Sequence, residues 1–236
     1  MGHAWVETGP ETRIVAITSL VAAHEGEADG HDEARICRTE LSLVAVVVLL
    51  RGLNVGGHRT FRPTTLAEQL RHLGAVNIGA TGTFVIRQPI SRAQLRAEIQ
   101  RRLPFDAEIM ICEGREIVRL LSQDVFADHP IRPDVVRFVS VLSRVPRSAP
   151  RLPISLPARG KWLLKVLARD GRFVFGVYRR DMKVISYLGT LDRAFGVPVT
   201  TRTWNTFIAI AKVLQRDPPT RSLKRSGAAP RRHGIE

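Results

Sequence analysis

The chain has 236 residues, and its 44% apolar and 25% charged content is typical of a folded globular protein rather than a fibrous or low-complexity one. Its two cysteines, Cys37 and Cys112, form no CxxC pair, which argues against a disulfide scaffold or a zinc site and favours a reducing cytoplasm. The longest apolar run has eight residues, at 43–50, far short of the roughly twenty that a membrane-spanning helix needs.

Positive charge is concentrated in the middle of the chain. The net charge is +14, and residues 44–214 alone carry 27 basic and 12 acidic residues. Such a balance favours anionic partners, namely nucleic acid, phosphorylated metabolites or an acidic protein surface. The alternative is that the charge serves only solubility in an arginine-rich protein.

Both ends of the chain differ in composition from the middle. Residues 1–42 are acidic and lack sustained periodicity, so we interpret them as a disordered extension or the result of a start codon assigned too early. Residues 14–23 resemble the apolar part of a signal peptide, but Glu7 and Glu11 precede them and secretion is not expected. Residues 215–236 have the Pro/Gly/Ser/Arg composition of a basic disordered tail.

The first predicted elements after the extension are a strand and a helix. The β-branched apolar run 43–50 predicts a buried strand that ends at a glycine-rich turn. Thr65 and Glu68 have the spacing of a capping box, which predicts a helix that starts there and runs to Leu73. Gly74 is then the expected left-handed end of that helix.

Two strands, a helix and a further strand follow. Short strands are predicted at 76–80 and 83–87, on either side of Gly82. A second capping box, from Ser91 to Gln94, opens a helix with three leucine or isoleucine side chains on one face: Leu95, Ile99 and Leu103. With a strand at 108–112 the order is βαββαβ, which is the ferredoxin-like pattern, or alpha-beta plait.

The second half repeats this order in a degenerate form. After a helix at 115–121 and a linker at 123–133, a strand is predicted at 134–142 and a proline-rich connection at 146–157. A hairpin around Asp170-Gly171 follows, with strands at 161–168 and 172–178. The last predicted elements are a helix at 183–195, a strand at 199–202 and a helix at 205–214. The predicted fold is therefore α+β, with tandem ferredoxin-like units at 43–122 and 134–214. The second unit lacks its first helix.

Two motifs carry a family resemblance. Residues 50–57 read LRGLNVGG and residues 200–206 read TTRTWNT. Together they resemble the bacterial domain-of-unknown-function family 1697, in which an LRGINVGG-like strand end opens the domain and TTRNWNT precedes a last helix. The likeness extends over about residues 43–214. It implies a tandem ferredoxin-like fold and bacterial origin, and it implies no established activity.

The chain departs from the family pattern at several polar positions. Thr81-Gly82-Thr83 stands where the family has Ser-Gly-Asn, and His58 stands where a lysine is common. Val184 and Ile185 replace the Ser-Lys pair that opens the penultimate helix. These changes weigh against a ligand or a chemistry shared with the family.

The glycine-rich turn is the first candidate binding segment. Residues 52–57 have the spacing of a phosphate loop, but His58-Arg59 stands where Lys-Ser/Thr is required and the next helix begins too late. A nucleoside triphosphate site is therefore excluded. Four candidate ligand-binding residues remain as an anion-binding nest, namely Arg51, Asn54, Gly56 and Gly57. The alternative is that the glycines only allow a turn, which we favour for Gly52.

The second candidate segment is the strand–helix junction at 202–206. Arg202 is a candidate anion clamp, Asn205 a directional polar group, and Trp204 a candidate contact. The alternative is ordinary helix capping by Thr203 or Asn205, with Trp204 packing against the helix. The histidines are isolated, so no metal site or other cofactor is predicted. Cys112 is expected in the core rather than as a nucleophile.

The function expected from these residues is binding of an anionic ligand, nucleic acid among the candidates, between the two basic halves. The runner-up is an enzyme that acts on a small phosphorylated or carboxylated substrate, oriented by Arg51 and Arg202 and polarised by Asn54 or Asn205. No acid–base pair is visible to complete such a mechanism. A third possibility is a protein-interaction module that uses exposed sheet edges.

Overall fold

A computed structural model of the chain describes residues 45–52, 61–130 and 132–216. Nine strands and five α-helices alternate along these residues. The strands are β1 (Val46–Arg51), β2 (Val76–Asn77), β3 (Thr83–Ile86), β4 (Glu108–Glu113), β5 (Val135–Leu142), β6 (Ile154–Leu156), β7 (Leu164–Asp170), β8 (Phe173–Arg179) and β9 (Val199–Thr203). The helices are α1 (Pro63–Gln69), α2 (Arg92–Gln100), α3 (Gly114–Leu121), α4 (Val184–Phe195) and α5 (Trp204–Leu214). The predicted N-terminal extension and all but the first two residues of the predicted tail lie outside this description.

The strands form two antiparallel sheets. The first sheet has the order β2-β3-β1-β4, and the second has the order β6-β7-β8-β5-β9. In the first, β1 lies between β3 and β4; in the second, β5 lies between β8 and β9. The two halves therefore share one strand arrangement, apart from β6 at the edge. The predicted α+β class is confirmed, while the division into two ferredoxin-like units stays a prediction.

Alternation along the strands divides the core into three layers. Val47 and Leu49 of β1 face a central core between the two sheets, whereas Val48 and Leu50 face the outer side of the first sheet. Helices α3 and α5 enter the central core, α1 and α2 cover the outer side of the first sheet, and α4 covers the outer side of the second. Because the central core takes side chains from both sheets, it fixes one half against the other.

The start of α1 differs from the prediction. The Thr65–Glu68 capping box is wrong, because the helix begins at Pro63 with Arg62 as its N-cap and no side-chain cap. Proline is favoured in a first helical turn, since its fixed φ suits the helix and its missing N–H would have no partner there. The predicted end is confirmed: a 3₁₀ turn at Arg71–Leu73 stops at Gly74, whose φ is 63°.

Other local predictions are confirmed with small shifts. The Ser91 hydroxyl accepts from Gln94 N at 3.2 Å, which is the predicted capping box of α2. The hairpin turns at Asp170-Gly171, where Gly171 has a φ of 56°. The proline-rich connection contains no helix, as predicted, but it contains the edge strand β6, which the sequence analysis missed. Within the described residues, no helix is both long and apolar enough to cross a membrane.

Candidate functional site

The two sequence motifs meet where β1 ends beside β9. Arg202 Nη2 donates a hydrogen bond to the Leu50 carbonyl at 2.7 Å, so the start of the glycine-rich motif adjoins the strand–helix junction. The contact joins the first sheet to the second. Residues 53–60, which continue the motif, lie outside the described part of the chain. That gap includes the predicted ligand-binding residues Asn54, Gly56 and Gly57 and the altered position His58.

Arg202 is buried between the sheets and has an acceptor for each of its five N–H groups. Nε donates to the Thr83 hydroxyl at 2.8 Å. Nη1 donates to the Thr200 hydroxyl and the Thr201 carbonyl, each at 2.9 Å, and Nη2 donates to the carbonyls of Leu50 and Thr81 at 2.7 and 2.5 Å. Only 8% of the residue is exposed. The guanidinium therefore has all its donors in use within the fold.

Burial also affects the charge state of Arg202. Desolvation lowers the pKa of its guanidinium to about 10, from an ordinary value of 12.5. The group is still cationic at neutral pH. All five acceptors are neutral, so no carboxylate bonded to the guanidinium cancels its charge. Arg202 can thus act on a ligand through its field, while its hydrogen bonds hold the two sheets together.

Arg51 has a protein partner in the second half. Its Nη2 donates to the Asp192 carboxylate on α4, and the second oxygen of Asp192 accepts from Val199 N at 3.0 Å. The Arg51 side chain remains 39% exposed. Gly52, next in the chain, is exposed with a φ of 81°, in the left-handed region that favours glycine. The turn interpretation of Gly52 is confirmed.

Trp204 and Asn205 have different surroundings at the start of α5. The Trp204 ring packs edge-on against Phe126 at 5.1 Å between centroids and stacks on Phe207 at 6.5 Å. Thr203 is the N-cap, and its hydroxyl lies 3.1 Å from the Thr206 hydroxyl. Asn205 is exposed, and its side chain makes no hydrogen bond to any described residue. Trp204 therefore packs as the capping interpretation expected, whereas the Asn205 amide is available.

A first cleft opens between the two halves, and we call it the inter-sheet cleft. It has a volume of about 550 Å³. The loop 78–81 of the first half forms one wall, and residues 201–203 with Asn205 and Thr206 form the other. Arg202 and Asn205 both line it, together with Tyr178. The structure thus brings these two predicted site residues to one cleft between the halves.

A second cleft, of about 650 Å³, lies beside the first, and we call it the arginine cleft. Its lining contains Arg132, Arg137 and Arg180, together with Trp204 and Asn205. Among its described lining residues there is no aspartate or glutamate. The two clefts share three lining residues, which are Tyr178, Thr203 and Asn205. They therefore form one continuous surface around the start of α5.

Two of the three arginines, Arg137 and Arg180, donate to backbone carbonyls, and Arg132 lies near a carboxylate. Arg137 Nε donates to the His129 carbonyl at 3.0 Å, and its guanidinium lies 5.2 Å from the centre of the Phe126 ring. Arg180 Nε donates to the Pro133 carbonyl at 3.0 Å. Arg132 lies 4.0 Å from Asp134, the limit of an ion pair. These contacts leave terminal N–H groups of Arg132 and Arg180 without an acceptor among the described residues.

Sequence reasoning named Trp204 and Asn205 of the arginine cleft but missed its three arginines. Its basic residues come from the end of the linker, from β5 and from the end of β8, so no local motif contains them. The available signal was the excess of arginine near the strand ends at 132–137 and 179–180. Pairing of β5 with β8, in which Val135 faces Arg179, is what brings these strand ends together.

The altered family positions have definite places in the structure. Thr83 is fully buried, and its hydroxyl accepts from Arg202, while the Thr81 carbonyl accepts from the same guanidinium. Val184 is buried at the start of α4, and Ile185 is 64% exposed. Thr81 and Thr83 therefore belong to the Arg202 hydrogen-bond network, whereas Val184 and Ile185 lie outside both clefts.

Cys112 is a core residue, as predicted. Its side chain is buried in the central core, and burial raises the pKa of its thiol to about 12. The protonated thiol accepts a contact from Arg172 Nη2 at 3.3 Å. Within residues 45–52, 61–130 and 132–216, no three His, Cys, Asp or Glu side chains are grouped so that they could hold a metal ion.

Comparison with known proteins found a match between the first half of the chain and one family model. Residues 43–154 match the family model described as "Protein of unknown function (DUF1697)". The match covers the first half and extends to the first residue of β6, while the motif at 200–206 lies beyond it. The searches of curated proteins and of solved structures found no match. Residues 43–154 of the chain are therefore similar to the family Protein of unknown function (DUF1697), which confirms the family resemblance over that segment.

Proposed function

We propose that this protein binds an anionic ligand on the surface formed by the two adjoining clefts. The observation that carries the proposal is the convergence of three arginines on one cleft of about 650 Å³ whose described lining residues include no Asp or Glu. Guanidinium groups with free terminal N–H donors match the oxygens of phosphate or carboxylate. The charged group of the ligand would lie on Arg132 and Arg180, and the rest would extend into the inter-sheet cleft.

The electrostatic field of Arg202 also favours a ligand that extends into the inter-sheet cleft. This buried cation lines the inter-sheet cleft, and its hydrogen-bond acceptors are all neutral. Charge in a partly desolvated wall is screened less than charge on an open surface. A negative group that enters between the halves is therefore attracted by Arg202 without displacing any of its hydrogen bonds. This assigns Arg202 a role at distance, in place of the direct clamp expected from sequence.

The lining indicates a ligand with a flat or apolar part besides its anionic group. Trp204 and Tyr178 offer ring edges, the Asn205 amide offers both a donor and an acceptor, and each cleft is large enough for a nucleotide-sized molecule. A nucleotide unit meets these requirements, either free or within a nucleic acid chain. We therefore infer nucleotide chemistry as the ligand class.

Isothermal titration with three probes tests this proposal. The probes are inorganic phosphate, a nucleoside monophosphate and a short single-stranded oligonucleotide, which separate bare anion, free nucleotide and polymer. Removing two guanidinium groups in R132A/R180A is expected to weaken nucleotide binding at least tenfold, about 1.4 kcal/mol. The control R62A/R96A removes two exposed arginines of the first half that lie outside both clefts. Equal affinity of the two double variants for every probe contradicts the proposal.

The alternative function is catalysis on the same kind of substrate. Tyr178 borders both clefts, and burial raises the pKa of its phenol, so at neutral pH it stays protonated and is not a phenolate base. Among the described lining residues neither cleft has an Asp, Glu, His, Lys or Cys side chain to serve as a general base. Binding is therefore the better-supported function, and time-dependent conversion of a bound nucleotide would favour the enzyme.

The architecture supports a related proposal about evolution of the fold. We interpret the two halves, 43–122 and 134–214, as tandem ferredoxin-like units joined by the linker 123–133. The shared strand arrangement of the two sheets supports this, with β6 as an addition in place of a helix. Bacterial origin, expected from the family resemblance, and a cytoplasmic location, expected from cysteine usage, remain predictions.

A further inference from the structure

A second basic surface lies on the edge of the second sheet, away from the inter-sheet cleft. Residues 144–161, which we call the arginine-rich arm, connect β5 to β7 and include β6. The arm contains five basic residues and no acidic residue; the basic residues are Arg144, Arg147, Arg151, Arg159 and Lys161. All five are exposed. The arm therefore carries charge of one sign only.

The basic residues of the arm differ from several other arginines of the protein in having no carboxylate partner among the described residues. Elsewhere many arginines have carboxylate partners, as in the pairs of Arg92 with Glu113, Arg119 with Asp170 and Arg179 with Asp134. None of the five basic side chains of the arm makes an ion pair or a hydrogen bond to another described residue. Five cations along one edge without a carboxylate partner among the described residues repel each other, and a bound anion would relieve that repulsion.

The arm is a fixed part of the fold rather than a loose loop. β6 pairs with β7 in antiparallel register, from Ile154 opposite Val166 to Leu156 opposite Leu164. Leu152, Ile154 and Leu156 pack against the core under α4. Apolar side chains therefore face inward, and the basic side chains are presented at fixed places. Such preorganisation reduces the entropy lost when an anion binds.

At one end, the arm meets the last turn of α4 and encloses a hollow of about 380 Å³. Arg144, Arg147 and Arg193 line it, together with Ser148, and no acidic residue is among its described lining residues. Three planar guanidinium groups around one hollow can hold a phosphate with paired hydrogen bonds. The hollow is therefore the anchoring point of the surface.

The length of the arm favours a polymer over a small anion as its ligand. The hollow lies at the end of the sheet where β5 finishes, and β6 runs toward the opposite end, where β5 begins. Eight residues of β5 span about 25 Å at roughly 3.4 Å per residue. A single phosphate could occupy only the hollow, whereas a nucleic acid strand presents successive phosphates along this distance. The arm has no aromatic residue for base stacking, so recognition would be of the backbone and independent of sequence.

We propose that the arginine-rich arm and Arg193 form a binding surface for the phosphate backbone of nucleic acid. The surface is separate from the two clefts, and the proposal does not depend on the proposed function. The competing explanation is that prolines and charges only protect the exposed edge strand β6 from pairing with other chains. That explanation predicts aggregation of neutral variants without any change in nucleic acid binding.

Fluorescence anisotropy with a labelled 20-nucleotide single strand and a 20-base-pair duplex, at several salt concentrations, tests the proposal in the full chain. Two variants each remove three cations, R144A/R147A/R193A at the hollow and R151A/R159A/K161A along the edge. The control R62A/R71A/R96A removes three exposed arginines of the first half that have no ion-pair partner among the described residues. All variants keep residues 217–236, so basic residues of that segment contribute the same background to each.

Both arm variants are expected to bind at least tenfold more weakly at about 0.1 M salt, and their log–log salt slope should fall by roughly two to three units. The control should change affinity by less than about twofold. Equal losses in arm and control variants, or unchanged binding in the arm variants with or without aggregation, overturn the proposal. If a triple alanine variant unfolds, R144K/R147K/R193K keeps the charge and removes the guanidinium forks, and weaker binding by this variant supports the hollow as an anchor.

The two proposals can fail independently. R132A/R180A should weaken binding of the nucleoside monophosphate. If only the arm contacts the duplex, this variant should leave the salt slope of duplex binding within about one unit of the wild-type value. The arm variants should leave monophosphate affinity unchanged. Loss of duplex binding in R132A/R180A together with none in the arm variants would contradict the arm and locate the polymer in the clefts.

Discussion

Arg202 Nε donates a hydrogen bond to the Thr83 hydroxyl at 2.8 Å, across the boundary between the two sheets. The same guanidinium bonds to the carbonyls of Leu50 and Thr81 in the first half. One buried guanidinium on β9 thus donates hydrogen bonds to acceptors at the end of β1, in the turn before β3 and in the first residue of β3. The residue that sequence reasoning assigned to a ligand joins the two halves of the protein.

Replacing Arg202 is expected to destabilise the fold strongly. R202M keeps an apolar stem of similar length but leaves the Thr83 hydroxyl and the Leu50 and Thr81 carbonyls without their donors. Buried acceptors without partners cost about 1–3 kcal/mol each, offset in part by removal of a buried charge, so we expect a loss of about 2–4 kcal/mol in unfolding free energy. Urea denaturation measures it, with the exposed R96M as control. A loss below about 0.5 kcal/mol would refute the assigned role.

Thr83 supplies one acceptor of this network and allows a finer test. T83V keeps the shape of the side chain and removes the hydroxyl that accepts from Arg202, so we expect a loss of about 1–2 kcal/mol. In a double-mutant cycle with R202M, the T83V effect should shrink toward zero, because the bond is already absent. Additive losses in the cycle would mean that the two side chains stabilise the protein independently.

The Arg51–Asp192 pair makes a smaller contribution, because both side chains are partly exposed, at 39% and 29%. D192N loses the charge but keeps an oxygen to accept from Val199 N, so it should cost less than about 1 kcal/mol. D192A also leaves that amide without its acceptor and should cost about 1 kcal/mol more. Thermal unfolding of the two variants measures the difference. Equal melting temperatures for D192N and D192A would show that the amide contact is unimportant.

Cys112 should make the stability of the protein fall at alkaline pH. Burial raises the pKa of its thiol from 9.0 to about 12, so between these values the unfolded state loses this proton and the folded state keeps it. Stability contributed by the protonated thiol is complete below pH 9 and decreases as the pH rises toward 12. We expect a loss on the order of 2 kcal/mol between pH 8 and 10.5. Urea midpoints of wild type and C112A measure it, and an equal decrease in both would exclude Cys112 as the cause.

Two glycines of the second half should respond in opposite ways to alanine. A Cβ atom on Gly176 would lie 2.3 Å from both the Lys165 carbonyl oxygen and the Phe138 ring, so G176A must displace the β7–β8 pairing or the core. We expect a loss of about 3 kcal/mol. Gly189 in α4 has nothing within 4 Å of such an atom, so G189A should gain about 0.5–1 kcal/mol through helix propensity. Differential scanning calorimetry compares them, and a stable G176A would contradict the close approach of β7 and Phe138.

Short-range signals in the sequence succeeded where neighbouring residues complete the interaction. The Ser91–Gln94 box closes within four residues, and Gly74 and Gly196 end their helices because glycine adopts a positive φ without strain. The Thr65 box failed because Pro63, two residues earlier, is a favourable first helical residue. Strand β6 was missed because it is short and its partner β7 lies several residues further along the chain.

The sequence by itself determined the α+β class, the order of the elements apart from β6, the family resemblance and the excess of positive charge, because periodicity, caps and composition are local properties. It also located Arg202 and Asn205 at a strand–helix junction. Only the tertiary structure decided what these residues contact. Pairing of β5 with β8 and β9, and packing of two sheets on one core, directed the Arg202 donors into the fold. The same packing left Asn205 exposed between two clefts, since hydrogen-bond partners distant in sequence are fixed only when the sheets come together.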